Sequence, residues 1–434
     1  MIKLIISFNI AFFSVWTFLS APDEKSKSIT DMPMCNTMQT GDINQWTGAT
    51  YFSQYESVKA TPSVFGADST KTYSMPLLSQ TPKGDVLLSW TEKNEQGLTS
   101  FCLAFSKDKG KTFSEKQVIY AGYGVGNSRL FRAKVLAKKD GSLVAVFTNR
   151  PDAQAQGSQG GRGGRSGELV YTVSKDGGNT WTNPQAVDTD PTKGLMRGFF
   201  DAVLLPNDEI AVAYLKDVKN STKHEERDLR LAITKNGVFQ AEKLLDAVVC
   251  DCCNINMLVD ENGALNVIYR DNDDDIRDFS KMVSSDNGGT FSKPQNIYSD
   301  GWKIAGCPHS GAISSTHGKS ALIAYYSGAA SESGVKLVTQ DGKKLFVLND
   351  PSVKNPALMG SSQISALLWE QGKEKTQLVF RTVKDSKISE TKSVEGSDNA
   401  TNSTGLIIGN QLLIAHEVKQ ESKKNSLKIA TISL

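Results

Sequence analysis

The sequence predicts an all-β protein, a β-propeller built from repeated four-stranded blades, and two observations predict it. The first is a short pattern that occurs three times: Ser106-Lys-Asp108-Lys-Gly110-Lys-Thr112-Phe113, Ser174-Lys-Asp176-Gly-Gly178-Asn-Thr180-Trp181 and Ser284-Ser-Asp286-Asn-Gly288-Gly-Thr290-Phe291. The shared frame reads as a turn. Asp accepts backbone N–H bonds, Gly takes a positive φ, and Thr with the aromatic starts the next strand. The second is a hairpin of strand, polar turn and strand that returns mostly about 55 residues apart, close to a propeller-blade period.

The hairpins run in order from Leu77 to Trp90, Val135 to Phe147, Val203 to Tyr214, Leu258 to Tyr269, Ile313 to Tyr325, Leu367 to Phe380 and Leu406 to Ala415. Each joins short apolar runs rich in Val, Ile, Leu and aromatics through Gly, Asn, Asp or Lys, the strand signal. Counting them favours seven blades, with six as the alternative if the last two hairpins share one. The three Ser-x-Asp turns fall between third and fourth strands, with weaker echoes at Thr234–Phe239 and Thr339–Gly342. Leu427–Leu434 is a third strand for the last blade, and Tyr51–Val58 is expected to supply its fourth, clasping the ring between the two ends of the chain. Radial closure leaves no long free sheet edge.

Composition bounds the function. Lys and Arg number 49 against 47 Asp and Glu, a balance that excludes a dedicated nucleic-acid binder. Residues 1–21 have one Lys, an apolar run to Leu19 and Ser20-Ala21, the form of a secretory signal peptide. The chain is therefore expected to be secreted, periplasmic or on the cell surface. Residues 22–45 are expected to be a disordered tail and residues 46–434 the propeller, and the mature chain is expected to be a monomer with no membrane span. Residues 153–167 form a Gly-rich insertion in the second blade.

The triplicate frame resembles the Asp-box, or BNR repeat, of sialidase-superfamily propellers. That resemblance implies a carbohydrate or glycoconjugate partner at one mouth of the central channel. It also implies three Args for a substrate carboxylate, an Asp acid/base and a Tyr–Glu nucleophile, outside the two-carboxylate scheme of most glycosidases. The planar guanidinium fork suits a carboxylate. Here the segment matching the family's first Arg motif is Tyr73-Ser74-Met75-Pro76, so Ser74 stands in the Arg position and sialidase activity itself is doubtful. Other Args lie near the blade starts, at Arg129, Arg132 and Arg197.

Two further constellations are distinctive. Cys250-Asp251-Cys252-Cys253 precedes the fourth inner strand and Cys307-Pro308-His309 the fifth, so the four thiols and the imidazole are expected to meet. They read either as disulfides, favoured by an even count of six in an exported chain, as a soft copper or zinc site, or as free buried thiols. No cofactor is required by the pattern. Met32, Met34, Cys35 and Met38 add soft ligands in the tail. Cys102 reads as a packed core thiol. The loop Arg270-Asp271…Ile276-Arg277-Asp278 carries opposed charges that would hold one another in place. With the Cys-x-Cys-Cys motif it resembles a group of bacterial sialidase-like proteins. The expected substrate contacts are Arg197, Arg270, Arg277, Arg129 and Tyr326, and the expected acid/base is Asp271 or Asp201. A non-catalytic binding propeller is the alternative. His224, His317 and His416 read as surface or turn residues.

Overall fold

The computed structural model describes residues 55–434 other than 67, 151–166, 193, 222–225, 351, 373–374, 386 and 422–423. The expected signal peptide, the expected tail with its Met and Cys residues, and nearly all of the Gly-rich insertion lie outside the described residues. Those described belong to the compact unit Asp42–Leu434. Among them every regular element is a strand, and the strands form seven sheets.

Each sheet is one blade, wound from an inner strand outward. The inner strands are Lys71–Gln80, Lys134–Ala137, Arg197–Leu204, Asn256–Val259, Ile313–His317, Lys354–Gly360 and Ala400–Ile408. Five of the seven predicted hairpins match first and second strands, and Leu406–Ala415 also falls within the seventh blade's first two. The sixth is displaced. The Leu367–Phe380 hairpin joins the second and third strands of its blade, Ser365–Gln371 and Gln377–Lys384. The inner strand, Lys354–Gly360, is broken by Pro356 and half-buried, so its apolar alternation is weak. Closure also differs in detail. Thr61–Phe65 pairs antiparallel with Ser426–Ser433 and completes blade seven. Of the predicted segment's described residues, Glu56–Val58 pair parallel with Lys392–Val394 on blade six.

Seven apolar clusters fill the seven contacts between neighbouring blades, including blade seven against blade one, where Leu413, Ala415 and Ile429 meet Tyr73, Leu88 and Trp90. The repeat unit explains this. Six second strands carry an aromatic at the same place, namely Trp90, Phe147, Tyr214, Tyr269, Tyr325 and Trp369, each with at most 1% of its surface exposed. Burying such side chains contributes about 2–3 kcal/mol each. His416, at the corresponding end of blade seven, is buried rather than on the surface, and burial lowers its pKa to about 4.

The Ser-x-Asp turns sit where expected, at the outer rim. Ser106 Oγ accepts the Gly110 N–H at 2.8 Å, and Asp108 accepts the Thr112 N–H at 2.9 Å and hydroxyl at 2.6 Å. The other two copies repeat these bonds. Gly110 adopts φ +87°, and a Cβ there would lie well inside van der Waals contact with Leu413 of blade seven. The turn therefore also sets how closely one blade approaches the next.

Two predictions follow from these turns. Gly110→Ala should lower unfolding free energy by about 2 kcal/mol in urea titration, from the left-handed backbone and the overpacking of Leu413. The second concerns acid. Hydrogen bonds hold Asp176 and Asp286 from 3.8 down to about 2, the Thr180 hydroxyl foremost for Asp176 and the Thr290 N–H for Asp286. A depressed carboxyl stabilises above its unfolded pKa, and that stability is lost as pH falls through the folded value. Asp176→Asn with Asp286→Asn should flatten the loss of stability between 3.8 and about 2. An unchanged pH slope of the urea midpoint would sink this.

Candidate functional site

The mouth of the channel is built from irregular inner strands. In blades one, three, six and seven the first–second strand register shifts at one equivalent place: Ser74/Leu77, Gly198/Asp201, Lys354/Ala357 and Thr401/Thr404. A non-glycine residue at each takes a left-handed backbone, namely Met75, Phe199, Asn355 and Asn402, at φ 48–53°. Such bulges re-aim backbone groups and concentrate near functional sites.

Two carboxylates that sequence reasoning missed receive the re-aimed groups. Glu370, at the mouth end of blade six's second strand, accepts the Asn402 N–H at 2.7 Å, the Asn355 amide at 2.8 Å and the Thr401 hydroxyl. Glu417 of blade seven accepts the Met75 N–H at 2.8 Å and the amides of Asn402 and Asn425 at 2.9 and 2.6 Å. Both are buried, and burial raises the Glu370 pKa. Their signal in the sequence was an acid closing an otherwise apolar strand, in Leu-Leu-Trp-Glu370 and Ile-Ala-His-Glu417.

Opposing these acids are Arg129 and Arg132, from the segment leading into blade two. Ser128 and Phe131 bond each other's backbone and put Arg129 at the tip of a tight turn, exposed. Neither Arg forms an ion pair within 4.0 Å among the described residues, and Arg132 donates only to Met75 Sδ at 3.7 Å. Burial lowers the Arg132 pKa to about 10, against the pull of Glu417 and Glu370 and with a further push down from Arg129. It remains a cation at neutral pH.

The other expected contacts have their groups committed. Arg197 is buried, pairs with Asp188, and bonds the carbonyls of Leu195, Asp190 and Thr192. Arg270 is buried against Phe279 and Trp302 and donates to the carbonyls of Arg277, Ser310 and Tyr326, so it ties the blade-four loop to blade five. The expected Arg–Asp pairs within that loop do not form. Arg277 bonds Asp275, while Asp278 receives the N–H groups of Gly301 and Trp302. Asp201 pairs with Lys134 of blade two and accepts the Met257 N–H of blade four at 2.8 Å, a bond across three blades. Asp271 is half-buried, with its pKa raised by burial and by Asp246, but it turns toward Ser280 and the outer strand Lys243–Val249. Tyr326 packs edge-on against Trp302 at 5.6 Å. Ser74 bonds the Thr91 hydroxyl at 3.1 Å.

The cysteines converge, as expected, and they are thiols. Cys250, Cys252 and Cys253 lie with sulfurs 3.6–4.0 Å apart, far beyond the ~2.05 Å of a disulfide. The expected bridge from Cys252 or Cys253 to Cys307 is not formed either, and Cys307 is free. Cys307 and His309 approach Cys252. Against the cost of burial, hydrogen bonds with Cys250 and Cys252 and the nearby Arg270 pull the Cys253 thiol well below its ordinary value. Arg227 clamps the intervening Asp251 through its carbonyl.

Residues 153–354 match the family described as a BNR repeat-like domain. No curated protein matches the chain in sequence. Among solved structures, a polysaccharide lyase of family PL25, an ulvan lyase, aligns at 12% identity and TM-score 0.54, covering 86% of this chain and 96% of the lyase. A protein of unknown function from Dyadobacter fermentans aligns at 13% identity and TM-score 0.50, covering 86% and 98%. NanB sialidase from Streptococcus pneumoniae aligns at 12% and 0.48, covering 86% and 70%. At these identities the likeness to solved structures is one of fold.

The two kinds of arginine should separate by mutation. Arg270→Ala leaves several buried carbonyls without a donor and should cost about 3 kcal/mol or more. Arg129→Ala should change stability by less than about 0.5 kcal/mol. Chemical denaturation of both variants checks this, and equal losses would contradict it.

Proposed function

Taking the chain as a BNR-repeat propeller of the sialidase superfamily, we propose that it binds an acidic carbohydrate at the channel mouth, with Arg129 and Arg132 receiving the carboxylate or sulfate. The protein would act outside the cytoplasm, as the N-terminal apolar run suggests. One observation carries the reading. These two adjacent guanidiniums lack an acidic partner among the described residues, whereas Arg197 and Arg270 are held by carboxylate or carbonyl groups. A guanidinium offers paired N–H groups that fit carboxylate and sulfate oxygens. Glu370 and Glu417 stand behind the pair, fixed by their own hydrogen bonds, and favour the charged state of Arg132. The ulvan lyase of like fold is bound to -[GlcA(1-4)Rha3S]-, an acidic ligand.

Recognition is proposed here, and sialidase-type turnover is not. Two Tyr–carboxylate hydrogen bonds among the described residues are Tyr214 with Glu242 and Tyr269 with Asp246. Burial pushes both phenols up, the reverse of what a nucleophile needs, and both lie in contacts between blades.

Calorimetric titration with uronic-acid oligosaccharides, against neutral ones of equal length, tests this. The acidic series should bind and weaken as salt rises. Arg132→Ala should weaken it by about 10–100-fold, the worth of a charge-assisted hydrogen bond of about 1.5–3 kcal/mol. Equal affinity for both series, or an unaffected Arg129→Ala/Arg132→Ala variant, would refute it.

A further inference from the structure

We propose that Cys250, Cys252 and Cys253 form a three-sulfur pocket for one Cu(I) ion, loaded from the exposed Cys307 and His309 through the shared Cys252.

The spacing comes first. Sulfur separations are 3.9 Å for Cys250–Cys252, 3.6 Å for Cys250–Cys253 and 4.0 Å for Cys252–Cys253. An ion bonded to three thiolates at about 2.3 Å sits in a triangle with edges of about 4.0 Å, or slightly less when it stands off the plane. The three sulfurs therefore need little movement to share one ion. All three residues are 1–3% exposed, so the ion would be shielded from water.

Ligand number selects the metal. Among the described residues, no fourth His, Cys, Asp or Glu joins this triplet within 4.8 Å of all three sulfurs. Structural zinc takes four protein ligands, and catalytic zinc keeps a position open to water. A closed, dry, all-sulfur triplet fits neither and fits Cu(I), a soft ion satisfied by three thiolates.

Charge is the second, independent observation. Three thiolates and Cu(I) carry a net charge of −2. Arg277 is buried beside them, its charge acted on by Cys250 and Asp251, and its Nε has no hydrogen-bond partner. An orphaned guanidinium N–H inside a protein costs free energy unless an anion faces it. Arg270 lies near Cys253 as well. The anionic complex supplies the acceptor that Arg277 Nε lacks.

The geometry also provides a way in. Cys252, Cys307 and His309 form a second triplet in which Cys307 and His309 are exposed. An ion captured there has to exchange only the Cys307 and His309 ligands for Cys250 and Cys253 while Cys252 holds it throughout.

The test is anaerobic titration of the reduced full-length protein with Cu(I) against a chromogenic Cu(I) chelator, followed by copper-edge X-ray absorption. One ion per chain should be retained, with three sulfur scatterers at about 2.3 Å, and equimolar Zn(II) should not displace it. Cys253→Ser should lower affinity by at least about 100-fold. Cys307→Ser should keep affinity but load slowly, and Cys102→Ser should behave as the native chain. Failure to compete with the chelator, preference for Zn(II), nitrogen or oxygen scatterers in the first shell, or an unaltered Cys253→Ser variant would overturn the proposal. The absorption measurement uses the native chain and decides the matter even if a variant fails to fold. Oligosaccharide affinity is not read in it, so either proposal can fail alone.

Discussion

Closure of the ring is the constraint on which everything else depends. Seven blades meet at seven apolar contacts, and Thr61–Phe65, from before the first blade, completes the last sheet that packs against blade one. Without that strand, Ser426–Ser433 is an open edge able to pair with another chain. The mouth inherits its geometry from the closure. Glu417 on blade seven bonds the Met75 N–H on blade one, across the seam. Glu370 does the same between blades six and seven. Polar bonds at the mouth and apolar packing beneath it therefore hold the same blade angles.

The outer rim contributes in a different way. Gly110, Gly178 and Gly288 bring their turns against Leu413, Gln117 and Ile233 of the preceding blades. The motif that first marks the repeat is thus a spacer between blades, with its Asp carboxylates occupied by hydrogen bonds of the turn. A turn of this kind identifies an architecture and not a reaction.

Much of the architecture was legible because it is periodic. Second strands such as Leu-Leu-Ser-Trp90 and Val-Ile-Tyr269 are continuous apolar runs, since both faces are buried, and polar turns separate them. Legibility failed where local pattern and tertiary pairing diverge. Lys354–Gly360 carries Pro356 and a bulge, so the stronger Leu367–Phe380 hairpin read as the blade's first. The closing strand shifted by a few residues because an edge pairing leaves little trace in sequence. At the site, the convergence of the thiols followed from their places before neighbouring inner strands. The roles of Arg197 and Arg270 did not, because an arginine spent on backbone carbonyls and one free for a ligand look alike in sequence. Glu370 and Glu417 were hidden for the opposite reason: their partners are backbone groups exposed by bulges, and no residue pattern announces a bulge.

The mouth is thus divided. Blades one, two, six and seven hold a charged belt in which Arg129 and Arg132 remain free, and blades three to five hold a thiol pocket ringed by arginines. The central claim is that the free pair receives an acidic sugar. A crystal structure of the protein with a uronic-acid oligosaccharide tests it most directly. The account predicts a carboxylate or sulfate within hydrogen-bond distance of both guanidiniums, over the channel and on the side of the pair away from Glu370 and Glu417. A ligand seated on the outer rim, or an acidic group turned away from Arg132, would contradict it.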